Sequence, residues 1–204
     1  MYESFLVDEA GQARIIRLRS ADGTNRLTRI CVRELTKAMW HLAGERRVSA
    51  LVISGNEKFF SAGADLREIS ELDGPAAREF SSMGQQLMAA IGGFPAPVYA
   101  AVYGYCMGGG LDLALSCHHR IASSQALFAH RGAALGLITG WGGTQRLPRL
   151  VGKGRALEIF VTAEKIRADR ALDIGLVDAI ADDPVSEALS RIAQRRHLNS
   201  EDNP

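Results

Sequence analysis

Cysteine is sparse and poorly placed for cross-linking. Cys31, Cys106 and Cys117 are an odd number with no Cys-x-x-Cys spacing, which argues against a disulfide framework and a zinc knuckle and for a reducing compartment. Charge of one sign is also missing: 24 Lys and Arg stand against 23 Asp and Glu, so no net positive field exists to hold nucleic acid or an anionic membrane. No apolar run is long enough to span a bilayer, and residues 1–20 are interrupted by Asp8, Glu9, Arg14, Arg17 and Arg19, unlike a secretory signal. The expected location is the cytoplasm, with neither nucleic acid nor membrane as partner. His118 and His119 have no carboxylate or cysteine at metal-ligand spacing, so no metal is expected.

The sequence does have apolar residues in quantity, 47% of 204, enough for one substantial core. Short β-type runs, Ala13 to Leu18, Ser49 to Ser54, Pro97 to Val102, His119 to Ser123 and Leu176 to Ile180, alternate with helical patterns, which is an α/β rhythm. Ile30, Leu35, Met39 and Leu42 recur at helical spacing and Gly44 closes that segment. A second helix is expected from Pro75 to Gly92, opened by Asp73-Gly74-Pro75 and stopped by Gly92-Gly93. One domain over 1–196 is expected, followed by a polar, frayed tail over 197–204.

Two glycine-rich turns carry the chemistry. The segment from Pro97 to Ser116 runs as a strand through Gly108-Gly-Gly into an apolar helix. Glycine lets backbone approach a ligand closely, and the first amides of a helix have no intrahelical acceptor, so they can donate to an oxygen bearing negative charge. Tight strand-on-helix packing alone would also account for the glycines. A third reading is a nucleophile elbow, since Gly104-Tyr-Cys106-Met-Gly108 resembles that of the dienelactone hydrolases with Cys106 attacking an ester. It needs an acid and a histidine downstream, and the best pair, Asp178 and His197, puts the histidine in the polar tail.

Upstream, a second strand enters Gly55-Asn-Glu-Lys-Phe-Phe-Ser-Ala-Gly-Ala-Asp-Leu-Arg, again a small-residue turn before a polar helical start. The Ser-Ala-Gly-Ala-Asp turn followed by the triple-glycine turn resembles the crotonase (enoyl-CoA hydratase/isomerase) superfamily. Gly140-Trp-Gly-Gly-Thr-Gln-Arg-Leu-Pro-Arg-Leu-Val-Gly-Lys and Ala171-Leu-Asp-Ile-Gly-Leu-Val-Asp look like that family's later turn and terminal strand, so the resemblance covers roughly residues 10–195.

The resemblance implies a crotonase-like (ClpP/crotonase) α/β fold of repeated ββα units, here with a shortened C-terminal helical region. It implies an acyl-CoA substrate, no cofactor beyond the substrate's own coenzyme A, and a homo-oligomer, a trimer or a hexamer built from two. By the same token the N–H groups of Ala64 and Gly109 match the two amides that bind the thioester oxygen. Ala62, Ala64, Asp65, Leu66, Arg67 and Gly109 then line the substrate site, with Arg67 near the nucleotide or merely an exposed helix charge. Asn25 is either a turn near the adenine pocket or a helix cap.

The chain departs from the family at its two catalytic glutamates, whose positions are Asp112 and Gly132. Asp112, in the first turn of its helix, can serve as a base or simply cap amides. His130 and Arg131 flank the missing glutamate and could supply a proton or hold a carboxylate-bearing acyl group, as a decarboxylase requires, or belong to a solvated loop. Trp141 could stack beside an acyl chain or fill space. The expected activity is that of an enoyl-CoA hydratase or isomerase working through an enolate. Its alternatives are a family decarboxylase and a noncatalytic acyl-CoA-binding or assembly protein. Glu placed at 132 together with Asp112→Glu is expected to raise hydratase turnover.

Overall fold

The computed structural model describes residues 2–45 and 47–201, and of 196–201 only the backbone. Six strands form the main sheet, in the order β1 (Phe5–Ala10), β2 (Ala13–Leu18), β4 (Ala50–Ser54), β7 (Val98–Val102), β9 (His119–Ala122) and β12 (Ala179–Ile180). Only β1 runs antiparallel, as a hairpin with β2, and every later pairing is parallel. Parallel neighbours need crossovers, and those crossovers hold the rest of the chain.

Each crossover leaves the main sheet through a second, shorter strand and returns by a helix, which is the expected ββα repeat. After β2 come β3 (Arg26–Leu27) and α1 (Arg29–Gly44). After β4 come β5 (Phe59–Ser61), β6 (Gly63–Ala64), α2 (Leu66–Ser70) and α3 (Gly74–Gly92). After β7 come β8 (Tyr105–Met107) and α4 (Gly109–Ser116). After β9 come β10 (Leu127–Ala129), a 3-10 turn over Ala133–Leu135, α5 (Gly143–Val151), α6 (Lys153–Thr162), β11 (Ile166–Arg167) and α7 (Ala168–Asp173). The short strands make a second sheet of order β11-β10-β8-β5, with β3 paired to β6 beside it.

The main sheet is covered on both faces, and the period-2 alternation of its strands sorts the two cores. Ile16 and Leu18, Leu51 and Ile53, and Val98, Ala100 and Val102 face the larger core with α1, α3 and α4. Ala13 and Ile15, Ala50 and Val52, and Tyr99 and Ala101 face the other way, against Val185, Ala188 and Ile192 of α8 (Pro184–Glu201). Burial on both faces explains why these strands read as unbroken apolar runs.

The expected helices are present with their caps. Thr28 accepts from Cys31 N at the start of α1, and Asp73 accepts from Ala76 N at the start of α3 with Pro75 in the first turn. Three expectations need correction. Ile30 lies on the solvent side of α1, because the helix buries Leu35, Met39 and Leu42 instead. The strand expected over 176–180 is confined to Ala179–Ile180, since Leu176 and Val177 bond back to Ala171 as the chain leaves α7. Helical backbone continues past His197 to Glu201 where a frayed tail was expected, while 202–204 lie outside the described residues.

Candidate active site

Two turns meet beside a cavity of about 560 Å³. The first is the β5–β6–α2 turn. Ser61, fully buried, donates its hydroxyl to Asn25 O at 2.7 Å and accepts Gly63 N–H at 3.1 Å, which ties the turn down. Asp65 then caps α2 by accepting from Arg67 N at 2.9 Å. The second is the β8–α4 turn, in which Gly108 has φ 50° and ψ −116°, a conformation that costs a side-chain-bearing residue dearly. Its N–H is held by Ala129 O at 2.8 Å.

These restraints bring two amides together. Gly109 is the first residue of α4, so its N–H has no intrahelical acceptor. A Cβ on Gly109 would lie 3.1 Å from Ala64 N, and one on Gly63 would lie 3.1 Å from Gly109 N and 2.5 Å from Met107 O. Only glycine at 63 and 109 allows the approach. A Cβ on Gly110 would press on Ser61 at 2.7 Å, so the third glycine serves packing. Both readings of the glycine cluster therefore hold, each for different residues.

Asp112 lies one helical turn below Gly109, is 1% exposed and lines the cavity. Burial pushes its carboxyl up to about 7, against the Thr139 hydroxyl, the Arg146 charge and the Gly143 N–H, all of which favour the carboxylate. The Thr139 hydroxyl donates to Oδ2 in a short hydrogen bond. Oδ1 faces His130 Nε2 at 3.3 Å, and neither atom has another hydrogen-bond partner. Burial also pushes His130 down to about 4, so its ring is neutral at pH 7.

Trp141 packs edge-on to the site. Its indole fills the space beside Gly84 and Gly109, its Nε1 donates to Phe80 O at 3.2 Å, and the Phe80 ring is tilted against it at 5.2 Å. It fills space and forms cavity wall at once.

Gly132 holds no proton-transfer group, and its surroundings leave no room for one. A Cβ there would lie 2.6 Å from Leu137 O, because Gly132 O accepts N–H from both Leu135 and Leu137 and draws the loop tight. A side chain at 132 therefore requires the loop backbone to shift, which weighs against the expected gain from Glu there. Arg131 lines the cavity from an exposed position.

Of the expected substrate-side residues, Ala62, Ala64, Leu66 and Gly109 form cavity wall, while Asp65 and Arg67 lie outside it, with Arg67 exposed on α2. Asn25 is neither a helix cap nor exposed. It is 2% accessible with φ 52°, and its Nδ2 donates to Phe59 O at 2.8 Å. The elbow reading fails: the Cys106 side chain is fully buried with its thiol raised well above the ordinary range, and Asp178 accepts from Arg120 N at 2.6 Å. Among the described residues no group of three or more His, Cys, Asp or Glu could hold a metal.

Thr139 and Gly143 escaped the sequence reading. The Gly140-Trp-Gly-Gly turn signalled a close approach of backbone without saying to what, and the answer is Asp112: a Cβ on Gly143 would overlap its Oδ1.

Fold and site together define a class: a mainly parallel sheet whose crossovers bring two glycine-turn amides and a buried carboxyl to the wall of an apolar cavity. The chain belongs to the enoyl-CoA hydratase/isomerase family, whose model matches residues 10–201. It is 38% identical over 180 residues to a crotonyl-CoA hydratase of Syntrophomonas wolfei, covering 88% of this chain and 69% of that one. It is 43% identical over 163 residues to a probable enoyl-CoA hydratase of Bacillus subtilis, covering 78% of this chain and 62% of that one. Among solved structures, Pseudomonas aeruginosa DspI superposes with a TM-score of 0.90 at 37% identity, covering 94% and 79% of the two chains. An enoyl-CoA hydratase from Bacillus anthracis does so with 0.90 at 33%, covering 94% and 76%.

Proposed function

We propose that this protein acts on an acyl-CoA thioester, with the amides of Ala64 and Gly109 holding the thioester oxygen and Asp112 transferring the proton. The observation that carries this reading is the closeness of those two amides in the wall of a cavity that also holds a buried carboxyl raised to about 7. As the carboxylate takes a proton from the α-carbon, the C–H electron pair moves toward the thioester oxygen. The resulting enolate is stabilised there by fixed donors that need no reorganisation. In isomerisation that proton is then returned to the acyl chain at the γ-carbon; in hydration the same enolate forms as water gives a proton to Asp112 and its oxygen bonds the β-carbon, and that proton then passes to the α-carbon.

The apolar lining, with Ile69, Phe80, Leu135 and Ile138, supports an uncharged acyl chain. It does not favour the carboxylate-bearing substrate of a decarboxylase. A noncatalytic role is likewise disfavoured, since a purely binding cavity has no use for a buried carboxyl raised to about 7. Asp65 and Arg67 are proposed to border the nucleotide outside the cavity. Self-association into a trimer or a pair of trimers is proposed from the family resemblance, with exposed Leu157 and Val161 on α6 as apolar surface available to it. No described helix is long and apolar enough to cross a membrane.

Calorimetry with acetyl-CoA and crotonyl-CoA, followed by turnover across enoyl, dienoyl, malonyl and hydroxyacyl thioesters, tests the proposal. Binding of thioesters with turnover of an enoyl or dienoyl member is expected. Failure of both thioesters to bind at millimolar concentration would overturn it.

A further inference from the structure

Asp112 Oδ1 and His130 Nε2 are the two buried polar atoms of this site with no hydrogen-bond partner, and they face each other at 3.3 Å. A Cβ on Gly143 would overlap Oδ1 and come within 2.9 Å of Nε2, so the backbone at the start of α5 seals the gap on that side. The Phe160 ring of α6 lies against the imidazole at 5.1 Å between centroids. Both side chains line the cavity.

Two pairings are chemically open: the ring can donate Nε2–H to an ionised carboxylate, or a protonated carboxyl can donate to a bare Nε2. Burial favours the protonated carboxyl, but three groups oppose it: the Thr139 hydroxyl bonds to the carboxyl, and the nearby Arg146 charge and Gly143 N–H also favour its ionised, acceptor-only form, which turns the choice toward donation by Nε2–H. The remaining titratable group near Asp112, Cys106 on β8, is held as a neutral thiol. Arg131, beside His130 in sequence, is exposed.

We propose that His130 is the positioning residue of this site: its neutral ring donates Nε2–H to Asp112 Oδ1, holding the carboxylate ionised and aimed into the cavity. This rests on Asp112 being the proton-transfer group. The 3.3 Å separation is within reach of a hydrogen bond but the ring is not aligned to make one without substrate, and such contacts align and tighten when substrate excludes water. A carboxylate supported by an imidazole thus stands where the family's second carboxylate is absent. The proton taken from the substrate stays on Asp112 and returns to product, so the ring passes through no charged state.

The test compares His130→Leu, which removes the donor, with His130→Gln, which restores an amide donor that cannot titrate. For turnover of crotonyl-CoA, or exchange of butyryl-CoA α-protons in D2O, His130→Leu should move the rising limb of the pH profile up by about one unit. At pH 7 kcat should fall roughly tenfold while KM stays within about threefold, and His130→Gln should bring the limb back. An unmoved limb would mean that His130 merely fills space, and a limb moved to lower pH would mean that the carboxyl donates to the ring; either overturns the assignment. A second measurement needs neither turnover nor a variant. ¹⁵N NMR of the His130 ring near pH 7 should show the neutral tautomer protonated at Nε2, and the Nδ1-protonated tautomer would refute the proposal. If no thioester is turned over, the acyl-CoA reading fails, and the NMR result still decides this one.

Discussion

Gly132 lies so close to Leu137 that a Cβ at 132 would stand 2.6 Å from the Leu137 carbonyl oxygen. Its backbone is helical, at φ −56°, so the constraint is one of space and not of conformation. Gly132→Ala should therefore destabilise the fold by about 1 to 3 kcal/mol, as overpacking does. Gly132→Glu combined with Asp112→Glu should bring no gain in crotonyl-CoA hydration. Urea midpoints and a hydration assay check the two parts, and a hundredfold gain in the double variant would show that the loop opens freely.

The amide of Gly109 can be tested through its missing side chain. In Gly109→Ala the new methyl would fall 2.6 Å from the Trp141 ring and 3.1 Å from Ala64 N, spreading the two donors. Turnover should drop by roughly 10² to 10³, the usual cost of losing one oxyanion donor. The measurement is kcat/KM on whichever enoyl thioester the natural protein turns over. Activity within a factor of about three of wild type would remove the oxyanion role.

Asp112 and His130 make opposite contributions to stability against pH. With its carboxyl raised from 3.8 to about 7, folded Asp112 keeps a proton that the unfolded chain releases. That stability is full below about pH 4 and is lost as pH rises toward 7. With its ring lowered from 6.5 to about 4, folded His130 refuses a proton that the unfolded chain accepts. That stability is present above about pH 6.5 and is lost as pH falls toward 4.

In the natural protein the two slopes oppose each other between about pH 4 and 6.5. Relative to it, Asp112→Asn should lose stability on acidification through that window, by up to roughly 3 kcal/mol. His130→Gln should lose stability on alkalinisation from about pH 4 to 7, by up to roughly 4 kcal/mol. Denaturant midpoints across pH separate the cases, and parallel profiles for all three proteins would sink the account.

Thiol chemistry gives an independent check on the discarded elbow. Cys31, Cys106 and Cys117 are all buried, and burial drives Cys31 and Cys117 up to about 12 and Cys106 well above its usual value. Ellman's reagent at pH 8 should find no reactive thiol in the native protein and three after unfolding, since the thiolate is the attacking form. Rapid stoichiometric labelling of Cys106 would revive the nucleophile.

The sequence by itself determined the α/β rhythm, the central strands β2, β4, β7 and β9, the start of α3 at Asp73, and the two glycine turns. These are local matters: a strand buried on both faces must be apolar throughout, and a positive φ or a close approach of backbone calls for glycine. Even the absence of a second glutamate was legible, as Gly132. Tertiary structure alone decided what those turns meet. Gly108 and Gly63 are far apart in the chain, and only the pairing of β5 with β8 brings the Gly109 and Ala64 amides to one place. The exposure of Ile30 depended on which face of α1 the sheet covers. The partnership of Asp112 with His130, Thr139 and Gly143 depended on α5 starting against α4. Whether Asp112 is a surface cap or a proton-transfer group is a question of how much water surrounds it, and that depends on everything packed around it, from Gly143 to Trp141.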